Sequence, residues 1–220
     1  MKASILAIWI LLCCASFYGQ SAPVEAVSRL DIEVNQGFGM GIDTRPENRW
    51  RYGLGTSIGV NYNYKPARRF EIRGGISEQV YYSKRLVYHP YPYVMEMDFG
   101  LTTIATRFIA GGDWTMHVSE TRLSPYLGAA LYADIVHYAR ARNWLYYLTE
   151  GEREKMNLKD SFSNPVPGVQ FGLGLRGKTT RIELRYWEDI RTFKVPVHPV
   201  NRQRRSYIGI SAASYFDKSF

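Results

Sequence analysis

Residues 51–64 read RYGLGTSIGVNYNY, and their alternation decides the fold. Tyr52, Leu54, Thr56, Ile58, Val60, Tyr62 and Tyr64 share one parity, while Gly53, Gly55, Ser57, Gly59, Asn61 and Asn63 share the other. Successive side chains of a strand point to opposite faces, so this segment has one apolar face and one small, polar face. The preceding segment repeats the arrangement, with Leu30, Ile32, Val34, Phe38, Met40 and Ile42 against Asp31, Glu33, Asn35 and the glycines 37, 39 and 41. The following one sets Phe70, Ile72, Ile76, Val80 and Tyr82 against Glu71, Arg73, Ser77, Gln79 and Tyr81. Glu78 stands on the apolar parity there, and nothing in the sequence accounts for it.

The same period returns around Leu127–Ile135, Val169–Leu175, Ile182–Tyr186 and Ile208–Phe216. A further segment, Val94–Ile109, begins with Met95, Met97, Phe99 and Leu101 in phase and loses its parity near Ile104, which predicts a bulge. The count is eight strands, most of them long enough for the ~9–11 residues of a tilted membrane strand. The connections at 65–68 and 177–180 are tight and that at 111–122 is intermediate, whereas 85–93, 139–167 and 191–203 are long and only the first on that side, 43–48, is short. Short turns on one side and long loops on the other are what an outer-membrane barrel with both termini inside would show.

An eight-stranded alternating chain can close with its apolar face inward around a ligand, as a soluble barrel, or outward against lipid. Three features favour the outward closure. The polar face interleaves Gly and Ser with opposite charges, and a lumen charge network of Glu71, Arg73, Asp134, Arg176, Glu183 and Arg185 is expected. The aromatic residues collect at strand ends: Tyr62, Tyr64, Phe70, Tyr126 and Phe216 near the short turns, and Trp50, Tyr52, Tyr82, Tyr138, Tyr186, Trp187 and Tyr207 near the long loops. The last strand carries Phe216 and Phe220 in phase with its apolar series, a terminal pattern of the kind read by the barrel-assembly machinery.

The mean hydropathy of -0.28 suits a wall that shows lipid only every second residue. Beyond the first 20 residues no apolar stretch approaches the ~20 residues of a spanning helix. Residues 1–20 read as a signal peptide, with Lys2 followed by the apolar Ile5–Ala15 and cleavage expected between 20 and 26. Residues 27–220 form the barrel domain. Cys13 and Cys14 fall inside the leader, so disulfides, thiol catalysis and cysteine metal sites are not expected of the mature chain. Neither cysteine follows a small residue, which disfavours a lipoprotein anchor. The net charge of +8 on an exported chain favours acidic glycans and lipid phosphates over nucleic acid.

The stretch SPYLGAAL of 124–131, the GLGL of 172–175 and the RIELRY of 181–186 resemble the outer-membrane β-barrel domain family abundant in Bacteroidota. That family includes small OmpX-like barrels and PorT-like components of type IX secretion. The resemblance implies an outer-membrane location in a Gram-negative cell and brings a secretion role as an alternative.

Chemistry is sparse. His89, His117, His137 and His198 show no metal-ligand spacing, and the glycine-rich runs lie within strands, not at a strand-to-helix turn. No cofactor is expected. A lipid A-modifying enzyme would need a Ser–His–acid arrangement, and His117, Ser119 and Glu120 supply those types in one short turn where adjacent residues do not converge. Lys194, Arg202, Arg204 and Arg205 form a basic cluster on the last long loop, a candidate contact for lipopolysaccharide phosphates. The loop 139–167 holds an aromatic knot at Trp144–Leu148, readable as a lid over the mouth or as a docking surface for an envelope partner. The expected function is thus a non-enzymatic outer-membrane barrel with a structural or interaction role. A lipid-modifying enzyme, a secretion component and a soluble ligand-binding barrel are the alternatives.

Overall fold

The computed structural model describes residues 27–41, 51–87, 94–116, 123–147, 151–197 and 200–216. The leader, its cleavage region, Trp50, Phe220 and the His117–Glu120 turn lie outside these residues. The strands are β1 (Val27–Gly41), β2 (Arg51–Ala67), β3 (Phe70–Val87), β4 (Val94–Thr115), β5 (Ser124–Tyr147), β6 (Gly151–Asn157), β7 (Val166–Arg176), β8 (Thr180–Asp189), β9 (Phe193–Val197), β10 (Val200–Gln203) and β11 (Ser206–Phe216). Eight of them, β1, β2, β3, β4, β5, β7, β8 and β11, pair antiparallel in a closed ring. β1 completes the ring by pairing with β11 from Leu30↔Phe216 to Phe38↔Ile208. Closure leaves the ring without an edge strand, the only way a sheet can satisfy its backbone in hydrocarbon.

The alternation sets which side is which. Ile32, Val34, Leu54, Ile58, Val60, Ile76, Leu131, Leu173, Ile182, Leu184 and Ile210 project outward, and Ile58 and Ile210 are 60% and 61% exposed. Asp31, Glu33, Asn61, Arg73, Asp134, Glu183 and Arg185 project inward and are buried. The barrel is inside-out relative to a soluble protein: its wall is apolar and its core is charged. Each pair of neighbouring strands repeats this because antiparallel pairing places residues of one parity side by side, as in Ile58↔Val34 and Leu184↔Ile210.

Aromatic residues divide between the two faces. Tyr62, Tyr64 and Trp114 near the short turns, and Tyr82 and Tyr138 toward the long loops, face outward. Tyr126, Trp187 and Tyr207, expected in the girdles, instead fill the lumen. Their parity explains this, since each shares the inward parity of its strand with a charged or small neighbour such as Gly128, Arg185 or Gly209.

Two boundaries differ from expectation. β4 alternates without a break through Leu101, Thr103, Ala105 and Arg107 inward. The register slips instead on β5, where Ile104 faces Tyr138 and Ala105 faces Val136, leaving His137 as the extra residue. β4 reads as out of phase because its inward residues are apolar at the loop end: Leu101 and Ala105 join Val136, Ala139, Ala141, Leu158, Phe162 and Val166 in an apolar cap over the lumen. The segment 139–167 is also largely not a loop. β5 continues to Tyr147 and folds back as β6, with Arg140↔Asn157 and Tyr146↔Gly151 in register. A single turn of 3-10 helix, Lys159–Ser161, follows, and Leu158 and Phe162 on either side of it enter the cap. That part of the segment packs into the apolar cluster through these two side chains.

Candidate functional site: the charged lumen and the loop-end wall

Between the turn end and the cap, the lumen is filled by two sets of ion pairs separated by ring stacking. In the lower set the β1 carboxylate of Glu33 accepts from Arg181 Nη2 at 2.5 Å and from Arg185 Nη2 at 2.8 Å, with a second contact from Arg185 Nη1. Arg185 Nε also donates to Glu183 Oε1 at 3.0 Å, and Tyr126 Oη donates to Glu183 Oε2 at 2.6 Å. Arg73 reaches Glu183 at 3.3 Å and Asp113 at 3.7 Å. Arg176 lies 2.5 Å from Asp113 and 3.2 Å from Glu71, while its Nε donates to Tyr215 Oη at 3.0 Å. Asn61 and Asn63 donate to the two oxygens of Asp31 at 2.7 and 2.9 Å.

In the upper set Arg107 makes a bidentate pair with Asp134, at 2.7 and 2.9 Å. Arg205 bridges Asp134 at 2.8 Å and Asp189 at 2.7 Å, and Tyr132 Oη donates to Asp189 at 2.8 Å. The Arg107 guanidinium lies 3.6 Å from the Tyr132 ring centroid and 4.4 Å from that of Trp187. Trp187 and Tyr207 stack at 5.3 Å, and Tyr81 meets both edge-on. Buried charges are tolerable only when paired. Every guanidinium of this core lies against a carboxylate in pairs that tie distant parts of the chain, although Arg73 Nε, Arg181 Nε and Asp113 Oδ1 make no hydrogen bond. The lumen space between Tyr81, Trp187 and Tyr207 is about 10 Å³, roughly that of one water. Gly172 is required by this crowding, since a Cβ there would collide with the Glu183 carboxylate.

The structure brings Glu71, Arg73, Arg176, Glu183 and Arg185 into the lower set and places Asp134 apart in the upper one. Asp31, Glu33, Arg107, Asp113, Arg181, Asp189 and Arg205 complete the two sets. Asp113 was hidden because Gly111–Gly112 reads as a turn, yet both glycines lie in β4. Arg205 corrects an expectation: it is no surface contact for lipopolysaccharide but is 2% exposed inside the mouth. Its parity with Tyr207 is the signal that identifies it, against the pull of the basic run around it. Arg204 faces outward and pairs with Glu188 at 2.8 Å. Lys194 and Arg202 are opposite each other on the β9–β10 hairpin. Phe216 pairs with Leu30 in the closing strand register.

The outer wall carries a hydrogen-bonded polar group among its apolar side chains. Thr106 Oγ1 lies 2.7 Å from Glu78 Oε2 and 2.6 Å from His137 Nε2, so β3, β4 and the β5 bulge meet at one hydroxyl. This gives the outward Glu78 a partner. The hydroxyl is central and the imidazole terminal, whereas a nucleophilic relay places the imidazole between hydroxyl and acid. Among the described residues no group of His, Cys, Asp and Glu is placed to hold a metal ion.

No family model matches the chain, and no curated protein matches it. Among solved structures it is similar to Neisserial surface protein A, at 14% identity over 88% of this chain and 100% of that one, with a TM-score of 0.34. It is similar to Ail, the attachment invasion locus protein of Yersinia pestis, at 12% identity over 87% of this chain and 99% of that one, with a TM-score of 0.36. It is also similar to the N-terminal β-barrel domain of Pseudomonas aeruginosa OprF, at 12% identity over 86% of this chain and 100% of that one, with a TM-score of 0.29. The assignment of an eight-stranded barrel rests on the closed strand register of the chain itself.

Proposed function

We propose that this chain is a non-enzymatic barrel of a Gram-negative outer membrane, with a structural or interaction role carried by its external end. The observation that supports this reading most is the inversion of the two faces. Outward positions of the ring strands are predominantly apolar, while guanidinium and carboxylate groups fill the core. In water such a wall would be an adhesive surface far larger than the few hundred Å² that soluble monomers expose. Against lipid it is the expected exterior. The filled lumen supports a framework role over transport, and its pairing supports rigidity over ligand capture.

Interaction is then left to the loop end, where lipopolysaccharide or an envelope protein would meet the β5–β6 hairpin, the β9–β10 hairpin and Arg204. A secretion-machinery component is the alternative that the family resemblance brings, and native copurification would reveal it as a stable complex. Expressed with its leader in a Gram-negative host, the protein should fractionate with the outer membrane. It should also migrate as a compact form in unheated SDS and shift on boiling. Recovery as a soluble, detergent-free monomer would refute the membrane reading.

A further inference from the structure

We infer that the outer wall where β5 passes from β7 to β6 is a binding site for the phosphorylated headgroup of a lipid in the outer leaflet. This rests on the outer-membrane reading above. The β5–β7 pairing stops at Asp134↔Val166, and β6 takes over the same edge of β5 only from Arg140↔Asn157. The gap between them is spanned by Asn164, whose side chain accepts from Val136 N at 2.9 Å and donates to Val136 O at 3.1 Å. At this step lies an open cavity of about 360 Å³, lined by His137, Tyr138, Arg140, Lys155, Met156 and Lys159 among others.

Its charge is one-sided. Arg140, Lys155 and Lys159 line it, no carboxylate does, and none of the three has an acidic partner among the described residues. That contrasts with the lumen, where each guanidinium meets a carboxylate. The β5–β6 register worsens the imbalance by placing Arg142 directly across from Lys155. Like charges opposite one another weaken a strand pair, and an anion on the outer face would relieve them. The depth is also suitable. Arg140 follows two positions after the outward Tyr138, at the loop-end edge of the apolar wall, where cations reach headgroups while their stems lie on hydrocarbon. His137, held by the Thr106 hydroxyl through Nε2, also lines the cavity. Glu78 is fixed on the far side of that hydroxyl.

The test compares the full-length protein with the triple variant Arg140→Gln, Lys155→Gln, Lys159→Gln. A control, Arg68→Gln, Arg69→Gln, Lys178→Gln, removes the same charge from the turn end. Each is inserted into phosphatidylcholine vesicles, and binding of phosphorylated and dephosphorylated lipid A is measured. At about 1 kcal/mol, or roughly fivefold, per cation the triple variant should bind phosphorylated lipid A on the order of a hundredfold more weakly, and at least tenfold. The control should bind as wild type, and the dephosphorylated lipid should not discriminate among the three. Equal binding by wild type and the triple variant, or equal losses in triple and control, would overturn the site. Displacement of bound lipid A by millimolar inorganic phosphate would overturn the lipid assignment in favour of free phosphate. If the three proteins insert and keep their heat-dependent gel shift, such a failure leaves the barrel reading standing. If wild type does not insert, both readings fall together.

Discussion

Arg205, in the link between β10 and β11, donates from Nε to Asp189 Oδ2 at 2.7 Å, and so ties the last external connection to the end of β8 inside the mouth. The same guanidinium reaches Asp134 at 2.8 Å and lies 5.5 Å from the Phe162 ring of the cap. One side chain thus joins the β8–β11 connection, the β5 strand and the apolar cap.

Replacing Arg205 by Ala leaves Asp134 and Asp189 close together in a buried site with one cation fewer. Removal of one partner from a buried pair costs about 3–5 kcal/mol. Arg204→Ala, which breaks the half-exposed pair with Glu188, should cost about 0–1 kcal/mol. Urea unfolding in lipid vesicles, with both variants beside wild type, measures the difference.

In the lower set, Glu33 and Arg185 should be coupled. Each single alanine variant leaves a buried charge with one partner fewer, while the double variant removes both at once. The double variant should therefore be less destabilised than the sum of the singles by about 0.5–3 kcal/mol. A double-mutant cycle on the same vesicle unfolding assay reads this directly, and additive losses would count against the pair.

Gly172→Ala should destabilise the barrel although alanine is a modest addition, because the new Cβ meets Glu183. The expected loss is about 1–3 kcal/mol from overpacking. Gly74→Ala, where the nearest atom to a Cβ would be 3.8 Å away, is the matched control and should fold as wild type.

The wall was legible in the sequence and much of the lumen was not. Alternation through Ile58, Val60 and Tyr62 needs nothing but the strand period, and the structure places all three outward. The lower set was partly readable because Glu71, Arg73, Glu183 and Arg185 sit among unambiguous alternation. Arg107 was missed because β4 mixes inward apolar and inward charged residues along its length, and Asp113 because the strand end reads as a turn. Leu101 and Ala105 belong to the cap, and Arg107 to the ion pairs. Where one face changes chemistry with depth, hydropathy no longer reports parity. The hairpin in 139–167 was unreadable for a related reason: beyond the ring, β5 has no single lipid face to impose the period. Nor does sequence order show that Thr106 gives Glu78 its partner, since that contact depends on the inter-strand register.

The central claim is that the apolar exterior faces lipid, and Leu184→Arg tests it most directly. Leu184 is 54% exposed and pairs with the outward Leu173 and Ile210 in the middle of the wall. The measurement is the unfolding free energy of the variant and of wild type in lipid vesicles. The account predicts a loss of about 2–4 kcal/mol, the cost of an arginine near the bilayer midplane. A variant as stable as wild type, or one that became a better-behaved soluble monomer, would contradict it.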